Sequence, residues 1–188
     1  KYLPTRVNDL GLRKIITTEH FHYNSTISNI TTHTTIFPDG STETTTYEYA
    51  HEKGNQKLID ANMVGIPLET EVKKDGKTIS KTETKYDNPS NLLPSSVLSY
   101  DIQNNGATTE VTYDLYDSKG NLQQYTSKSG IPTAIIWGYS QAQPIAKIEG
   151  ATYAQVAGQI ADIISKSDAD IDQPSEDLLI TALDALRA

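Results

Sequence analysis

Residues 113–139 have the sequence YDLYDSKGNLQQYTSKSGIPTAIIWGY. A predicted strand ends at Tyr116-Asp117, and the polar segment Ser118-Lys119-Gly120-Asn121 supplies the turn that follows it. The chain then continues as a strand, turns again at Gly130-Ile131-Pro132, and enters a strongly apolar strand that ends at Tyr139. This succession of short strands and tight turns predicts antiparallel strands that pair with their neighbours along the chain.

Alternating β-branched or aromatic and polar residues extend this pattern back to residue 14. The alternation is clear in KIITTEHFHYN (14–24), STISNITTHTTIF (25–37) and STETTTYEYAHE (41–52). It indicates strands because successive side chains of a strand point to opposite faces. Turn sequences separate the predicted strands, at Pro38-Asp39-Gly40, Asp75-Gly76 and Asn104-Asn105-Gly106. We therefore predict a mainly β chain that folds as an antiparallel meander.

Residues 47–67 and 113–132 align as an internal repeat after a one-residue gap. Three pairs of positions match: Tyr47 with Tyr113, Gly54-Asn55 with Gly120-Asn121, and Gly65-Ile66-Pro67 with Gly130-Ile131-Pro132. The first copy departs from the second at Glu48 and His51, which correspond to Asp114 and Tyr116. From this alignment we expect two copies of one β-unit.

The sequence changes character at Gly150, where helical periodicity replaces the alternation. Thr152 and Gln155 form a capping box. Apolar residues then fall on one helical face, namely Val156, Ile160, Ile163 and Ile164. Ser175 is expected to cap a second helix, whose apolar stripe contains Leu178, Leu179, Leu183 and Leu186.

These changes predict two parts of the chain. We expect an antiparallel β domain over residues 1–149 and a helical segment over residues 150–188, with helices at about 153–166 and 176–187. An open sheet edge invites pairing with other chains. We therefore expect the helices to cover an edge or an end of the sheet.

The composition excludes several kinds of protein and site. The 188 residues include 11 Tyr but only 2 Phe and 1 Trp, which is typical of strands with one solvated face. The formal net charge of -8 opposes nucleic-acid binding, which needs a basic surface. The sequence has no Cys, so disulfide bonds and thiolate metal sites are excluded. No apolar run approaches the roughly 20 residues of a membrane span.

Residues 113–139 resemble the Tyr-Asp (YD, or RHS) repeat. The signature of that family is Tyr-Asp, two residues, Gly-Asn or Gly-Arg, a strand, and then Gly before another strand. The overlapping segment IIWGYSQAQPIAKIEGATY (135–153) is similar to large secreted YD-repeat proteins of Bacteroidetes. The resemblance implies structural roles for the motif residues, which are Tyr113, Asp114, Tyr116, Asp117, Gly120, Asn121, Gly130, Trp137 and Tyr139.

The resemblance implies a non-catalytic structural module of a large exported bacterial protein, secreted or at the cell surface. Repeats of this family form long β-sheet ribbons that spiral into a hollow shell, often around a C-terminal toxin, and the shell has no catalytic residues. Because the sequence begins with Lys1 and holds one clean repeat, we expect an edge portion of a longer chain. The expected partners are the remainder of that parent chain or other proteins, with no cofactor, no nucleic acid and no membrane insertion.

A tyrosine-rich sheet face offers an alternative function. Tyr47, Tyr49 and Tyr125 could stack on sugar rings, as in an adhesin or a carbohydrate-binding module, and a glycan would then be the partner. We favour the structural interpretation, in which tyrosines at the repeat interval stack strand upon strand.

A metal site or a small hydrolase is the third hypothesis, and the sequence argues against both. His20 and His22 point to the same face of a predicted strand, but no third ligand lies at a fixed spacing, so we predict no metal site. Asp168, Asp170 and Asp172 alternate as in a calcium loop but lack its Gly and its final Glu, which favours a solvated interhelix loop. No G-x-S-x-G elbow and no Gly-rich phosphate loop occurs, so we predict that the chain is not an enzyme.

Overall fold

The computed structural model describes residues 16–25, 27–104 and 106–187. The start of the first predicted strand at Lys14 lies outside these residues, as do Thr26 and Asn105. The described chain forms a 10-stranded antiparallel sheet followed by two helices, so the predicted fold class is confirmed. The strands are β1 (Thr18–Tyr23), β2 (Ile30–Ile36), β3 (Thr42–Glu48), β4 (Glu69–Lys74), β5 (Lys77–Lys85), β6 (Ser96–Tyr100), β7 (Ala107–Tyr116), β8 (Leu122–Ser127), β9 (Pro132–Gly138) and β10 (Gln143–Glu149). The helices are α1 (Gln56–Asp60), α2 (Tyr153–Asp168) and α3 (Gln173–Arg187).

The strands lie side by side in the same order as in the sequence, from β1 to β10. The turn between β4 and β5 shows how the sequence sets this arrangement. Asp75 and Gly76 have φ angles of 49° and 77°, and two positive angles are what a type I′ hairpin turn requires. Lys74 pairs directly with Lys77 across the turn, so the predicted Asp-Gly hairpin is confirmed.

The chain divides into two compact units, Lys1–Thr109 and Glu110–Ala188. Ala50, Leu58 and Leu68 form the buried apolar cluster of the first unit. In the second unit, Ala134 and Ile136 of β9 pack with buried side chains of α2. The change from strands to helices at Gly150 lies inside the second unit.

The prediction of two copies of one β-unit is wrong, because the aligned segments have different secondary structure. After Gly120-Asn121 the chain continues as strand β8, whereas after Gly54-Asn55 it forms helix α1. Asn55 caps α1 by accepting a hydrogen bond from the backbone N–H of Leu58 at 3.2 Å. The side chain of Leu58 is fully buried. The first segment therefore buries Leu58 through one helical turn, whereas the second segment continues as strand β8 at the same place in the alignment.

Helix α2 packs on one face of β9 and β10, the last two strands of the sheet. Val156 and Ile160 contact Ala134 and Ile136, whose side chains point to the same face because they alternate along the strand. The predicted capping box of Thr152 and Gln155 is confirmed. Helix α3 begins three residues before its predicted start, because Asp172 and not Ser175 accepts a hydrogen bond from the third helical amide, at 3.0 Å.

Lys57 of α1 holds the loop between β5 and β6. Its Nζ donates hydrogen bonds to the backbone oxygens of Tyr86, Asn88 and Asn91, at 2.8, 2.7 and 2.9 Å. Hydrogen bonds from a charged group are stronger than those between neutral groups. The ammonium group thus fixes three carbonyl groups of one loop.

Replacing Lys57 with Met should therefore loosen this loop while keeping the length of the side chain. We expect a loss of about 1–2 kcal/mol, because water can reach part of the freed carbonyl groups. Hydrogen exchange of the amides between Tyr86 and Ser95 should become faster. The matched control is Lys77→Met at the exposed start of β5, which should leave the exchange of the β5–β6 loop unchanged. Equal exchange in both variants would contradict the role of Lys57.

Candidate functional site

The turn between β7 and β8 is organised by the carboxylate of Asp117. Its Oδ1 accepts hydrogen bonds from the backbone N–H groups of Lys119 and Asn121, at 2.8 and 2.9 Å, and its Oδ2 accepts one from Asn121 Nδ2 at 2.9 Å. Gly120 has a φ of 85°, which glycine adopts without strain. Burial raises the pKa of Asp117, but the hydrogen bonds from Asn121 and Lys119 outweigh it and hold the pKa below its usual value.

The turn between β9 and β10 has an uncommon backbone conformation. Tyr139, Ser140 and Gln141 have φ angles of 53°, 55° and 64°, so three consecutive residues other than glycine are left-handed. Each such residue costs free energy, and the conformation persists only where the surrounding contacts offset that cost. Two side chains of the β7–β8 turn do so from one side: Asn121 Nδ2 donates to Gln141 O at 2.8 Å, and Lys119 Nζ donates to Ser140 O.

The C-terminal end of α2 holds the same turn from the other side. The backbone N–H of Tyr139 donates to Ser167 Oγ at 3.2 Å, and that of Ser140 donates to Asp168 Oδ1 at 2.6 Å. The hydroxyl of Tyr139 donates to Asp170 Oδ2 at 2.6 Å, and this hydrogen bond is the main cause that raises the pKa of Tyr139. The turn at 139–141 is therefore anchored both to the β7–β8 turn and to the helix.

The N-terminal end of α2 is anchored to the sheet through Asp114. Its Oδ2 accepts hydrogen bonds from Gln124 Nε2 at 3.0 Å and from Thr126 Oγ1 at 2.7 Å. Gln124 Oε1 in turn accepts a hydrogen bond from the backbone N–H of Tyr153, the first residue of α2, at 2.9 Å. Asp114 thus supports the N-terminal end of α2 through Gln124. Asp117, through Asn121, supports the turn that contacts the C-terminal end of α2.

The remaining motif residues also make contacts within the chain. Trp137 Nε1 donates to Leu122 O at 2.8 Å. The rings of Tyr113 and Tyr116 lie 6.5 Å apart, tilted by 48°. Gly130 has a φ of 78°, as the turn between β8 and β9 requires.

The first unit contains a network of charged side chains on one face of its sheet. Glu83 is only 5% exposed, and its carboxylate accepts hydrogen bonds from Lys85 Nζ at 2.8 Å and Tyr100 Oη at 2.5 Å. Lys53 Nζ lies 3.1 Å from Glu83 Oε1 and 2.8 Å from Glu69 Oε2. Burial alone raises the pKa of Glu83, but the hydrogen bonds from these three donors outweigh it and lower the pKa to about 2. The hydrogen bond to Glu83 also raises the pKa of Tyr100 to about 12.

The three tyrosines of the predicted glycan-binding face lie in different surroundings. Tyr49 is only 6% exposed, and its hydroxyl donates to Ile30 O at 2.7 Å. Tyr47 lies half-buried on β3, in the first unit. Tyr125 lies half-buried on β8, in the second unit, with Lys147 Nζ 6.0 Å from the centre of its ring. Tyr125 therefore keeps part of its ring accessible, and Tyr49 does not.

The histidines of β1 and β2 do not share one face of the sheet. His20 and His22 face the same side of β1, opposite Thr34 and Thr32. His33 points to the other face, where its ring stacks on Phe21 at 4.4 Å. Over residues 16–25, 27–104 and 106–187, no group of three or more His, Cys, Asp or Glu side chains could hold a metal ion.

Sequence reasoning missed several residues of these contacts. Ser167 and Gln124 gave no signal, because a single Ser or Gln has no pattern of its own. The alternating acids predict a solvated loop at Asp168 and Asp170, whereas both accept hydrogen bonds from the β9–β10 turn. A signal did exist for the charged network, since Glu and Lys recur at every second position of ETEVKK (69–74) and KTETK (81–85).

Comparison with protein-family models and with curated proteins finds no match to this chain. Within its described part, no helix is both long and apolar enough to cross a membrane.

Proposed function

We propose that the chain is a non-catalytic structural module, a β-scaffold within a large exported YD-repeat protein that is secreted or at the bacterial surface. The proposal is supported by the contacts of the motif side chains. Asp114 and Asp117 accept hydrogen bonds from side chains and turn amides of neighbouring strands, and Asn121 and Trp137 donate to backbone oxygens. Side chains used in this way hold strands and turns together.

One observation carries the proposal, namely the double anchoring of the turn at 139–141. The β7–β8 turn, the β9–β10 turn and the end of α2 are joined there by hydrogen bonds from Asn121, to Ser167 and to Asp168. A catalytic centre keeps its reactive groups within reach of a substrate. In this cluster the polar groups instead form hydrogen bonds with each other and with the backbone, which favours a structural role.

The proposed partner is the remainder of the parent chain, and a shell around a cargo or toxin domain is the assembly that such a module would join. The test is to isolate the protein from its native source and measure its intact mass, its terminal peptides and its cell fraction. We expect a chain much larger than 20.7 kDa, with further Tyr-Asp repeats, in the secreted or surface fraction. A native chain of about this mass, or one confined to the cytosol, would contradict the proposal.

Glycan binding is a second candidate, which the geometry of the second unit favours. Tyr113 pairs with Tyr125, and Tyr125 pairs with Thr133, so these side chains share a face. Trp137 lies four positions after Thr133 on β9, so its side chain points to the same face. Helix α2 packs on the opposite face. Three half-buried aromatic rings thus lie on the face that α2 leaves uncovered.

Binding to an array of glycans tests this candidate. Tyr125→Ala should remove binding if the face stacks on sugar rings, because the substitution removes the aromatic ring on which a sugar would stack. The control is Tyr23→Ala, since Tyr23 is 56% exposed and lies in the first unit. Unchanged binding by the Tyr125 variant, or no binding by the parent chain, would remove glycan recognition at this face.

A further inference from the structure

The two C-terminal helices leave a groove between them. Its volume is about 540 Å³. The lining residues of α2 are Gln159, Asp162, Ile163 and Lys166, and those of α3 are Thr181, Ala182, Ala185 and Leu186. The small side chains of Ala182 and Ala185, together with Leu186, form an apolar strip along the α3 wall of a groove whose other lining residues are mostly polar.

Large apolar side chains lie exposed at the end of the hairpin where the two helices connect. Ile171 is 89% exposed and Leu178 is 58% exposed. Leu178 precedes Ala182 and Ala185 by four and seven residues, so it lies on the same side of α3 as the groove. Exposed apolar groups that continue a groove indicate a binding surface.

The charge of the helical segment indicates which kind of partner fits the groove. Residues 151–187 contain seven acidic and two basic side chains, so their net charge is -5 out of -8 for the whole chain. Asp162 and Asp184 pair with Lys166 and Arg187. The other five acids lie around the interhelix connection, next to Ile171 and Leu178; they are Asp168, Asp170, Asp172, Glu176 and Asp177. A segment with both apolar and cationic side chains complements this surface.

We propose that the groove between α2 and α3 binds a basic amphipathic helix of another protein segment. The apolar face of the bound helix lies along Ala182, Ala185 and Leu186, in the manner of other helix-in-groove complexes. Its basic end lies over the interhelix connection, where five acids keep their negative charge because their hydrogen bonds come from neutral groups or they lie on the helix surface. Asp168 and Asp170 also hold the turn at 139–141, whereas Ala182, Ala185, Glu176 and Asp177 take no part in the contacts on which the proposed scaffold function rests.

The test is fluorescence anisotropy of the full chain with three labelled synthetic peptides. The first is an amphipathic helix with Leu on one face and Lys on the other. The second has Glu in place of Lys, and the third has the composition of the first in an order that forms no apolar face. We expect only the first peptide to bind, and we expect its binding to weaken when ionic strength rises from about 0.05 M to about 0.5 M.

Two pairs of variants locate the binding. Ala185→Arg places bulk and positive charge in the groove and should weaken binding about tenfold or more, whereas Ala161→Arg on an exposed position of α2 should not. The double variant Glu176→Gln/Asp177→Asn should weaken binding at low salt. The same loss of charge at exposed positions of the first unit, Glu19→Gln/Glu43→Gln, should not.

Circular dichroism of each variant shows whether the helices are retained. Equal binding of all three peptides, or equal binding by the two arginine variants, would overturn the proposal. So would self-association of the chain that Ala185→Arg abolishes, because the groove would then be occupied by a second copy. Absence of binding by the first peptide at low salt also counts against it.

Discussion

Replacing Glu83 with Gln is expected to lower the free energy of unfolding of the first unit by about 2–4 kcal/mol at neutral pH. The substitution keeps the volume of the side chain but removes the charge that Lys53 and Lys85 share. Breaking one partner of a buried charge network is costly because the remaining charges stay in poorly hydrated surroundings. The side chains of Lys53 and Lys85 are 26% and 34% exposed, which places the expected loss towards the lower part of that range.

The same carboxyl group should make stability depend on pH. The pKa of Glu83 falls from 4.5 to about 2 on folding, so the unfolded chain binds the proton more tightly than the folded chain does. The stabilisation is therefore complete above the unfolded value and is lost as the pH falls towards the folded value. A shift of this size corresponds to about 3 kcal/mol. Urea unfolding followed by circular dichroism between about pH 7 and about pH 2 measures it.

The matched control is Glu149→Gln. Glu149 is separated from Lys147 by two positions, as Glu83 is from Lys85, and its Oε1 lies 2.7 Å from Lys147 Nζ. These two side chains are 70% and 53% exposed, so we expect a change within about 0.5 kcal/mol. Equal losses in the two Gln variants, or an unchanged acid dependence in Glu83→Gln, would show that burial of Glu83 does not matter.

Gly138→Ala is expected to destabilise the second unit by about 2–3 kcal/mol, because no space exists for a methyl group at this position. A Cβ atom there would overlap Ser167 Oγ and would lie 2.8 Å from Ser167 Cβ and 2.7 Å from Ile145 Cδ1. Ser167 is 1% exposed and belongs to α2, so relief requires the helix to move away from β9. Thermal unfolding, together with the near-ultraviolet signal of Trp137, measures the effect.

Gly158→Ala provides a control with the opposite sign. Gly158 lies in the exposed middle of α2, and a Cβ atom there meets nothing within 4 Å. Alanine should therefore stabilise the helix by roughly 0.5–1 kcal/mol. In a double-mutant cycle, Ser167→Gly should recover part of the loss caused by Gly138→Ala, since it removes both overlapping atoms. Additive losses in that cycle would mean that contact with Ser167 is not the cause.

The hairpins of this fold were predictable because their signals are local. The turn at Asp75-Gly76 requires positive φ angles at both residues, and Asp-Gly is a residue pair that favours such a turn. The fold class followed from the alternation in β2 and β3, which has the same period as a strand. The capping box at Thr152 was equally local, since both of its members lie within one helical turn.

Features that depend on distant partners could not be predicted. The left-handed turn at Tyr139, Ser140 and Gln141 contains no glycine, and its support comes from residues of α2 that lie far along the sequence. Helix α1 has only five residues, too few for an apolar period to show. The sequence therefore predicts a repeat at this place, although burial of Leu58 decides that a helix forms.

The sequential order of the strands has a consequence for how the chain acquires its structure. Each strand finds its partner within the next stretch of sequence, so most pairings close short loops and cost little chain entropy. Such low contact order favours rapid folding. The chain can also add one hairpin at a time as it emerges from a ribosome, because no strand must wait for a partner made much later. Refolding of truncated chains that end after successive hairpins would reveal this stepwise growth.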